Sequence, residues 1–408
     1  MRVLMLSWEY PPRIVGGIAR HVEELAWALA DRGDEVHVVT CDFPGAPTEE
    51  IFHGVHIHRV TPYSPVDNFF HWVHQLNAAM RDRADALLRE WTAGVADPKA
   101  LPPERGIVLH AHDWLADFSG SALKHAFTLP LVATVHATEF GRNNGIHTDG
   151  QRYISGVEWH LTYEAWRVIV CSGFMKGEVE FALGVPADKI DVIPNGVETA
   201  KFDFPFPADE ARDFRARYAA PNEKIILFVG RMVREKGAHL LVSALPGVRA
   251  RYNDAKLVIV GGGYRDHLVG LAHSLGIDRH VYFTGFVHDD VLVRLYRIAD
   301  VACYPSLYEP FGIVALEAMA AGVPVVVSEA GGLREVVEHD VTGTVAWLDN
   351  VDSLAWGISR VLLNPAHARW MADNARRTVR DLYNWDRIAG MTQTVYRRVW
   401  HEYSTSAW

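Results

Sequence analysis

The chain has 408 residues, enough for two to three domains of ordinary size and for large cores without disulfide or metal staples. Hydrophobic residues make up 49% and charged residues 22%, which sets aside disordered, collagenous and coiled-coil classes. The net charge of -10 sets aside a protein whose main partner is nucleic acid, although a local basic cleft for a phosphate-bearing ligand stays compatible with it.

Short apolar runs alternate with amphipathic stretches, the pattern of βα units on parallel sheets. The first half predicts strands at Val3–Ser7, Glu35–Thr40, Val55–Val60, Gly106–His110, Leu131–His136 and Val168–Cys171. Helices are predicted between them at Gly17–Asp31, Phe69–Trp91, Phe118–His125, Tyr153–Trp166 and Met175–Leu183. The segment Lys189–Pro194 then leads outward, and a Pro- and charge-rich stretch, Lys201–Pro221, precedes a second series. Its strands are Lys224–Gly230, Lys256–Gly261, Val281–Phe286, Val301–Tyr304, Val323–Ser328 and Thr344–Trp347, with helices that include Gly312–Ala321 and Leu333–Glu338. The final stretch, Trp385–Trp408, reads as an aromatic helix that crosses back onto the first domain. The expected architecture is α/β: two Rossmann-like doubly wound domains, 1–200 and 201–384, facing a central cleft, because ligands of such sheets bind at the carboxyl ends of strands.

The three cysteines, Cys41, Cys171 and Cys303, are scattered, so neither a disulfide framework nor a structural zinc site is expected, and a reducing, cytoplasmic setting is. No apolar run approaches the roughly 20 residues of a membrane-spanning helix, and Met1–Ser7 lacks the apolar core of a secretory signal. The helix opening at Phe69-Phe70-His71-Trp72-Val73 carries Arg81, Arg83 and Arg89. Such a helix can rest on an anionic membrane, but packing on its own sheet is the preferred reading, and membrane association is not expected.

Four constellations carry candidate chemistry. After the first strand, Trp8 through Gly16-Gly17 leads into a helix; paired glycines let backbone amides approach a phosphate at a helix N-terminus, and the alternative is an ordinary tight turn. Trp8, Tyr10, Pro11 and Pro12 make that loop stiff and aromatic, which suits a sugar. Past the strand ending at Gly230, Arg231 and Lys236 stand where a diphosphate would sit; a solvated basic loop is the alternative. Glu309 and Glu317 flank a helix start at Gly312-Ile313, where the helix end can meet phosphate and a carboxylate can accept from ribose hydroxyls. Glu317 lies in a strongly apolar helix, where a carboxylate is costly unless it has a partner. Finally, His110-Ala111-His112-Asp113-Trp114 and His136-Ala137-Thr138-Glu139 follow predicted parallel strands. A metal reading of His112 and Asp113 lacks a third and fourth ligand at recognisable spacing, so hydrogen bonding to a polyol is preferred and no metal is expected. Gly261-Gly262-Gly263 does not complete GxGxxG, which argues against NAD.

In this order and spacing the motifs resemble the retaining glycosyltransferases of family 4, which have the GT-B fold. The resemblance covers nearly the whole chain. It rests on Gly16-Gly17, His136, Asn195-Gly196-Val197, Gly230-Arg231 with Lys236-Gly237, Pro305-Ser306, the Glu309…Glu317 pair and Gly331-Gly332. It implies that Arg231 and Lys236 hold the donor diphosphate, Glu309 lies against the donor sugar and Glu317 binds ribose hydroxyls. It also implies that Gly16 and Gly17 approach the diphosphate, that His136 meets the sugar near the reacting carbon, and that backbone groups around Phe286-Val287 face the base. No cofactor is implied; UDP- or ADP-glucose is the expected donor substrate.

A narrower resemblance, in 110–114, 136–142 and 157–165, is to bacterial glycogen-synthase-like α-1,4-glucosyltransferases, in which Asp113 would reach a sugar hydroxyl. The lysine of the Lys-x-Gly-Gly-Leu loop is missing: position 14 is Ile, Ile18 follows the glycines, and Arg13 is the nearby substitute. The expected partners are a nucleotide sugar and a carbohydrate acceptor, an α-glucan first. Alternatives are a family 4 transferase with a lipid, sugar-phosphate or free-sugar acceptor, a sugar-nucleotide 2-epimerase on the same architecture, and a non-catalytic sensor. Oligomeric state stays open.

Overall fold

In the computed structural model, which describes residues 1–408, the apolar run Arg2–Ser7 forms strand β1 at the middle of a parallel sheet. The other strands of that sheet are β2 (Glu35–Cys41), β3 (Glu49–Phe52), β4 (Val55–Val60), β5 (Ile107–His112), β6 (Leu131–Val135), β7 (Arg167–Val170) and β8 (Ile190–Val192). Their order is β3-β4-β2-β1-β5-β6-β7-β8, and only the edge strand β3 runs antiparallel. β1 pairs in parallel with both β2 and β5, so the chain reverses its direction of winding between β1 and β5. A reversal of that kind opens a crevice at the carboxyl ends of the two strands.

The second sheet contains β9 (Lys224–Val229), β10 (Ala255–Val260), β11 (Val281–Gly285), β12 (Val301–Tyr304), β13 (Val325–Ser328) and β14 (Thr344–Ala346). It is parallel throughout, in the order β11-β10-β9-β12-β13-β14, with its reversal between β9 and β12. Both sheets are covered on two faces, which is why their central strands read as unbroken apolar runs.

The residues divide into two compact units, Met1–Gly196 with Trp385–Trp408, and Val197–Asn384. The terminal helix, Trp385–Thr405, packs in the first unit. Its buried Trp385, Ile388, Tyr396 and Val399 join a core with Val22, Leu25 and Leu29 of the helix Gly17–Asp31. The Tyr396 hydroxyl lies 2.6 Å from His110 Nδ1. The second unit has its own core around Ile226, Phe228, Leu241, Leu257 and Ile358.

Two local features were not read from the sequence. The strand Val55–Val60 is preceded by Glu49–Phe52, and the two form a β-hairpin: His53 and Gly54 both have positive φ, the conformation a two-residue hairpin turn requires. The stretch Lys201–Pro221 is not a bare linker, because it carries the helix Ala208–Arg215. Asp209 and Glu210 lie in its first turn and Arg212 and Arg215 in its last, the arrangement that complements a helix dipole, and Phe202 and Phe214 are buried.

The helix Phe69–Trp91 packs Val73, Leu76, Met80, Leu87 and Leu88 inward. Its arginines have carboxylate partners: Arg81 with Asp82, Arg83 with Glu49 and Arg89 with Asp85. No helix is long and apolar enough to cross a membrane.

Candidate active site

Each sheet carries candidate site residues at its own reversal point. In the first unit, β1 runs into Trp8 and Glu9. Glu9 is buried, and its Oε2 accepts from the amides of Val15 at 2.6 Å and Gly16 at 3.0 Å. The Gly16 amide, expected to meet a donor phosphate, is therefore held by an internal carboxylate. Burial pushes the Glu9 pKa up, and those amides pull it partly back. Gly17 begins the following helix. Arg13, the nearby substitute for the missing lysine, lies over the Trp72 ring and reaches the Asp42 carbonyl.

β5 ends one residue before Asp113, which adopts φ 60 and buries its side chain. Asp113 Oδ1 accepts from the His136 amide at 2.7 Å, which joins the ends of β5 and β6. Burial raises the Asp113 pKa to about 6 against the pull of Arg142. The His136 ring contacts His112, with Nε2 3.2 Å from His112 Nδ1. Burial first, and then the charge of Arg142, push His136 down to about 3, so its imidazole is neutral at physiological pH.

In the second unit, β9 ends before Gly230 and Arg231. The Arg231 side chain is half exposed and lies 3.6 Å from Glu235. A short turn, Arg234–Lys236, brings Lys236 Nζ to 2.7 Å from Glu309 Oε2. Ser306 Oγ donates to the same oxygen at 3.2 Å. The turn closes on Gly237 at φ +71, where an added Cβ would stand 1.9 Å from the Pro305 carbonyl oxygen. Only glycine allows the β9 and β12 loops to meet so closely.

Gly312 caps the helix Ile313–Ala320, and Ile313 opens it half-buried. The first amides of a helix have no acceptor within it, so they suit an anion. Glu317 is buried and has the partner its apolar helix demands. Its Oε1 accepts from Lys201 Nζ at 2.7 Å, and its Oε2 accepts from the Tyr296 hydroxyl at 3.2 Å. After β11, Phe286 is exposed and Val287 half-buried. The run Gly261-Gly262-Gly263 serves a close approach: a Cβ on Gly261 would lie 1.8 Å from the Gly230 carbonyl oxygen.

Residues 15–201 match the family described as Glycosyltransferase Family 4, and residues 209–378 match Glycosyl transferases group 1. An uncharacterised glycosyltransferase of Methanocaldococcus jannaschii is 42% identical over 399 residues, which is 97% of this chain and 98% of the relative. The chain belongs to the family 4 glycosyltransferases. A glycogen synthase of Mycobacterium tuberculosis is 37% identical to this transferase over 97% of this chain and 94% of its own. The structure of sucrose-phosphate synthase from Thermosynechococcus elongatus superposes with a TM-score of 0.79 at 26% identity, covering 98% of this chain and 99% of that one. The fold of the transferase is GT-B, with two parallel-sheet Rossmann-like domains.

Several polar residues of the transferase near these two reversal points were not singled out from the sequence. Glu9 stands two residues past β1, a position that signals the loop but not the carboxylate's target. Lys201 lies in the stretch read only as Pro- and charge-rich, and Tyr296 sits in a different helix from Glu317. Glu158, from the helix Asp149–Glu164, is buried; its Oε1 accepts from the Glu139 amide at 2.8 Å while its Oε2 has no partner. Burial, above all, raises it to about 8, so Glu158 holds a proton at neutral pH. His21 comes from the helix Gly17–Asp31 and places Nδ1 2.8 Å from Asn195 Oδ1.

Proposed function

We propose that this glycosyltransferase moves glucose from UDP- or ADP-glucose to an α-glucan or glucoside, retains the α-configuration, and needs no divalent ion to do so. The observation that carries the reading of the donor side is the Lys236–Glu309 pair at the reversal of the second sheet, with Arg231 on the same loop. A nucleoside diphosphate departs readily once its charge is met by cations and helix-end amides. In this reading Lys236 leaves Glu309 for the diphosphate, and Arg231 forks to its oxygens. Glu309 is then free to accept from the sugar hydroxyls, and the amides of Gly312 and Ile313 face phosphate. Glu317, oriented by Lys201 and Tyr296, accepts from the ribose, and backbone groups at Phe286 and Val287 face the base.

On the acceptor side, His136 and Asp113 hydrogen-bond to sugar hydroxyls. The neutral His136 imidazole can both donate and accept, which suits a polyol. The glucan acceptor is supported by likeness to the Mycobacterium tuberculosis glycogen synthase over nearly the full length. A sugar-phosphate acceptor would need cations beside Gly16-Gly17, and Arg13 is already engaged by Asp42 and Trp72. We place the enzyme in the cytoplasm, where nucleotide sugars and glucan meet.

The test is a screen of UDP-, ADP- and GDP-sugars with and without glycogen or maltooligosaccharide. Diphosphate release from one glucose donor only when glucan is present, with an α-linked product by NMR, supports the reading. Release only with another acceptor discards the glucan, and conversion of the sugar nucleotide without free diphosphate replaces the transferase by an epimerase.

A further inference from the structure

We propose that His21, His112 and His136 form a binding site for a divalent transition metal of the zinc class, and that occupancy of this site withholds His136 from the sugar. His21 comes from the helix Gly17–Asp31, His112 from the end of β5 and His136 from the end of β6. One ring nitrogen from each lies within 4.8 Å of the other two. Zinc bound by imidazoles at about 2.0–2.1 Å in a tetrahedron sets its ligand atoms about 3.4 Å apart. His112 Nδ1 and His136 Nε2 already stand 3.2 Å apart, close to that spacing.

Three further observations point to a ligand. His21 Nε2 is buried without a hydrogen-bond partner, the position a lone pair holds when it awaits an ion. Asn195 Oδ1 accepts from His21 Nδ1, which fixes the tautomer that leaves the Nε2 lone pair unprotonated. A side-chain carbonyl behind a ligating histidine is a recurrent means of orienting it. Finally, Asp113 anchors the His136 backbone, and His136 is only partly buried, so an ion has a route from solvent and a water can fill the fourth position. An all-imidazole set favours Zn2+, Cu2+, Ni2+ or Co2+ over Mg2+ and Ca2+.

Metal binding stands independently of the proposed reaction; the blocking of His136 rests on it. The test uses the full-length protein, stripped with a chelator and titrated with Co2+ and then Zn2+. The expected result is one equivalent of Co2+ with the intense visible bands of a four-coordinate ion, displaced by Zn2+. His21→Gln and His112→Gln each weaken binding by about a hundredfold. His273→Gln, at a side chain 85% exposed, leaves binding unchanged. Because buried histidine variants can lose their fold, zinc-edge X-ray absorption on the unaltered protein counts imidazole ligands independently. Three imidazoles support the site; a six-coordinate shell of water and carboxylate overturns it. Loss of transfer at one equivalent of Zn2+ supports the blocking role. Full turnover with the three-imidazole shell occupied overturns that role and leaves the site.

Discussion

Lys236 Nζ sits 2.7 Å from Glu309 Oε2, so the cation assigned to the donor's diphosphate and the carboxylate assigned to its sugar neutralise each other in the chain alone. Glu309 is 7% exposed, and a buried carboxylate without a partner is costly. The pair holds both groups in place until a ligand separates them. Lys236→Ala and Glu309→Ala are each expected to lower kcat/KM by about a hundredfold or more. Effects within about threefold, near 0.7 kcal/mol, remove both residues from the site. The double variant is expected to lose less than the sum, since the residues are in direct contact.

Glu9 holds the loop before the helix Gly17–Asp31 through the Val15 and Gly16 amides. Glu9→Gln keeps an acceptor but loses the charge, a loss of about 1.5 kcal/mol in hydrogen bonding, or roughly tenfold. The loop then orders poorly around donor. Steady-state kinetics are expected to show a higher donor KM with kcat changed less. An unchanged donor KM would detach this loop from donor binding.

Glu158 binds its proton more tightly in the folded chain than in the unfolded one. Its pKa is raised to about 8, so at low pH both states are protonated and the group is neutral to stability. As pH rises past the ordinary glutamate value, the unfolded chain releases the proton first, and stability falls by up to about 1.4 kcal/mol per pH unit until about pH 8. Glu158→Gln removes this penalty. The Tm difference between variant and wild type is expected to move in favour of the variant from pH 5 to pH 8.5. A constant difference across that range would mean that Glu158 is ionised when folded.

Gly237 joins the β9 loop to Pro305 after β12. Gly237→Ala meets both a positive φ and a carbonyl at 1.9 Å. It is expected to destabilise the second unit by at least about 2 kcal/mol. Urea unfolding checks this, and a loss under about 0.5 kcal/mol would show that the two loops can separate freely. Gly262→Ala, whose Cβ meets nothing within 4 Å, serves as the control.

Much of the architecture was legible because parallel strands buried on both faces must be apolar throughout. Val301–Tyr304 and Val55–Val60 stand in the structure with the bounds read from sequence, as do the helices Gly17–Asp31 and Phe69–Trp91. The helix Ala208–Arg215 was hidden by its composition: eight residues dominated by charge look like a solvated linker until Phe214 finds a core to enter. The hairpin strand Glu49–Phe52 was hidden because an exposed edge strand has no apolar face to display.

The sequence by itself determined which residue types stand at each strand end, because chain order and the rise of a strand are local properties. It therefore marked Gly16, Asp113, His136, Arg231, Lys236, Glu309 and Glu317 as candidates. Only the tertiary structure decided their partners. Glu9 reaches the Gly16 amide, Lys201 and Tyr296 meet Glu317, and His21 joins His112 and His136 across 91 and 115 residues of chain. Such pairings depend on where the sheet order places separate segments, and burial then sets which groups hold their protons. No local spacing encodes either one.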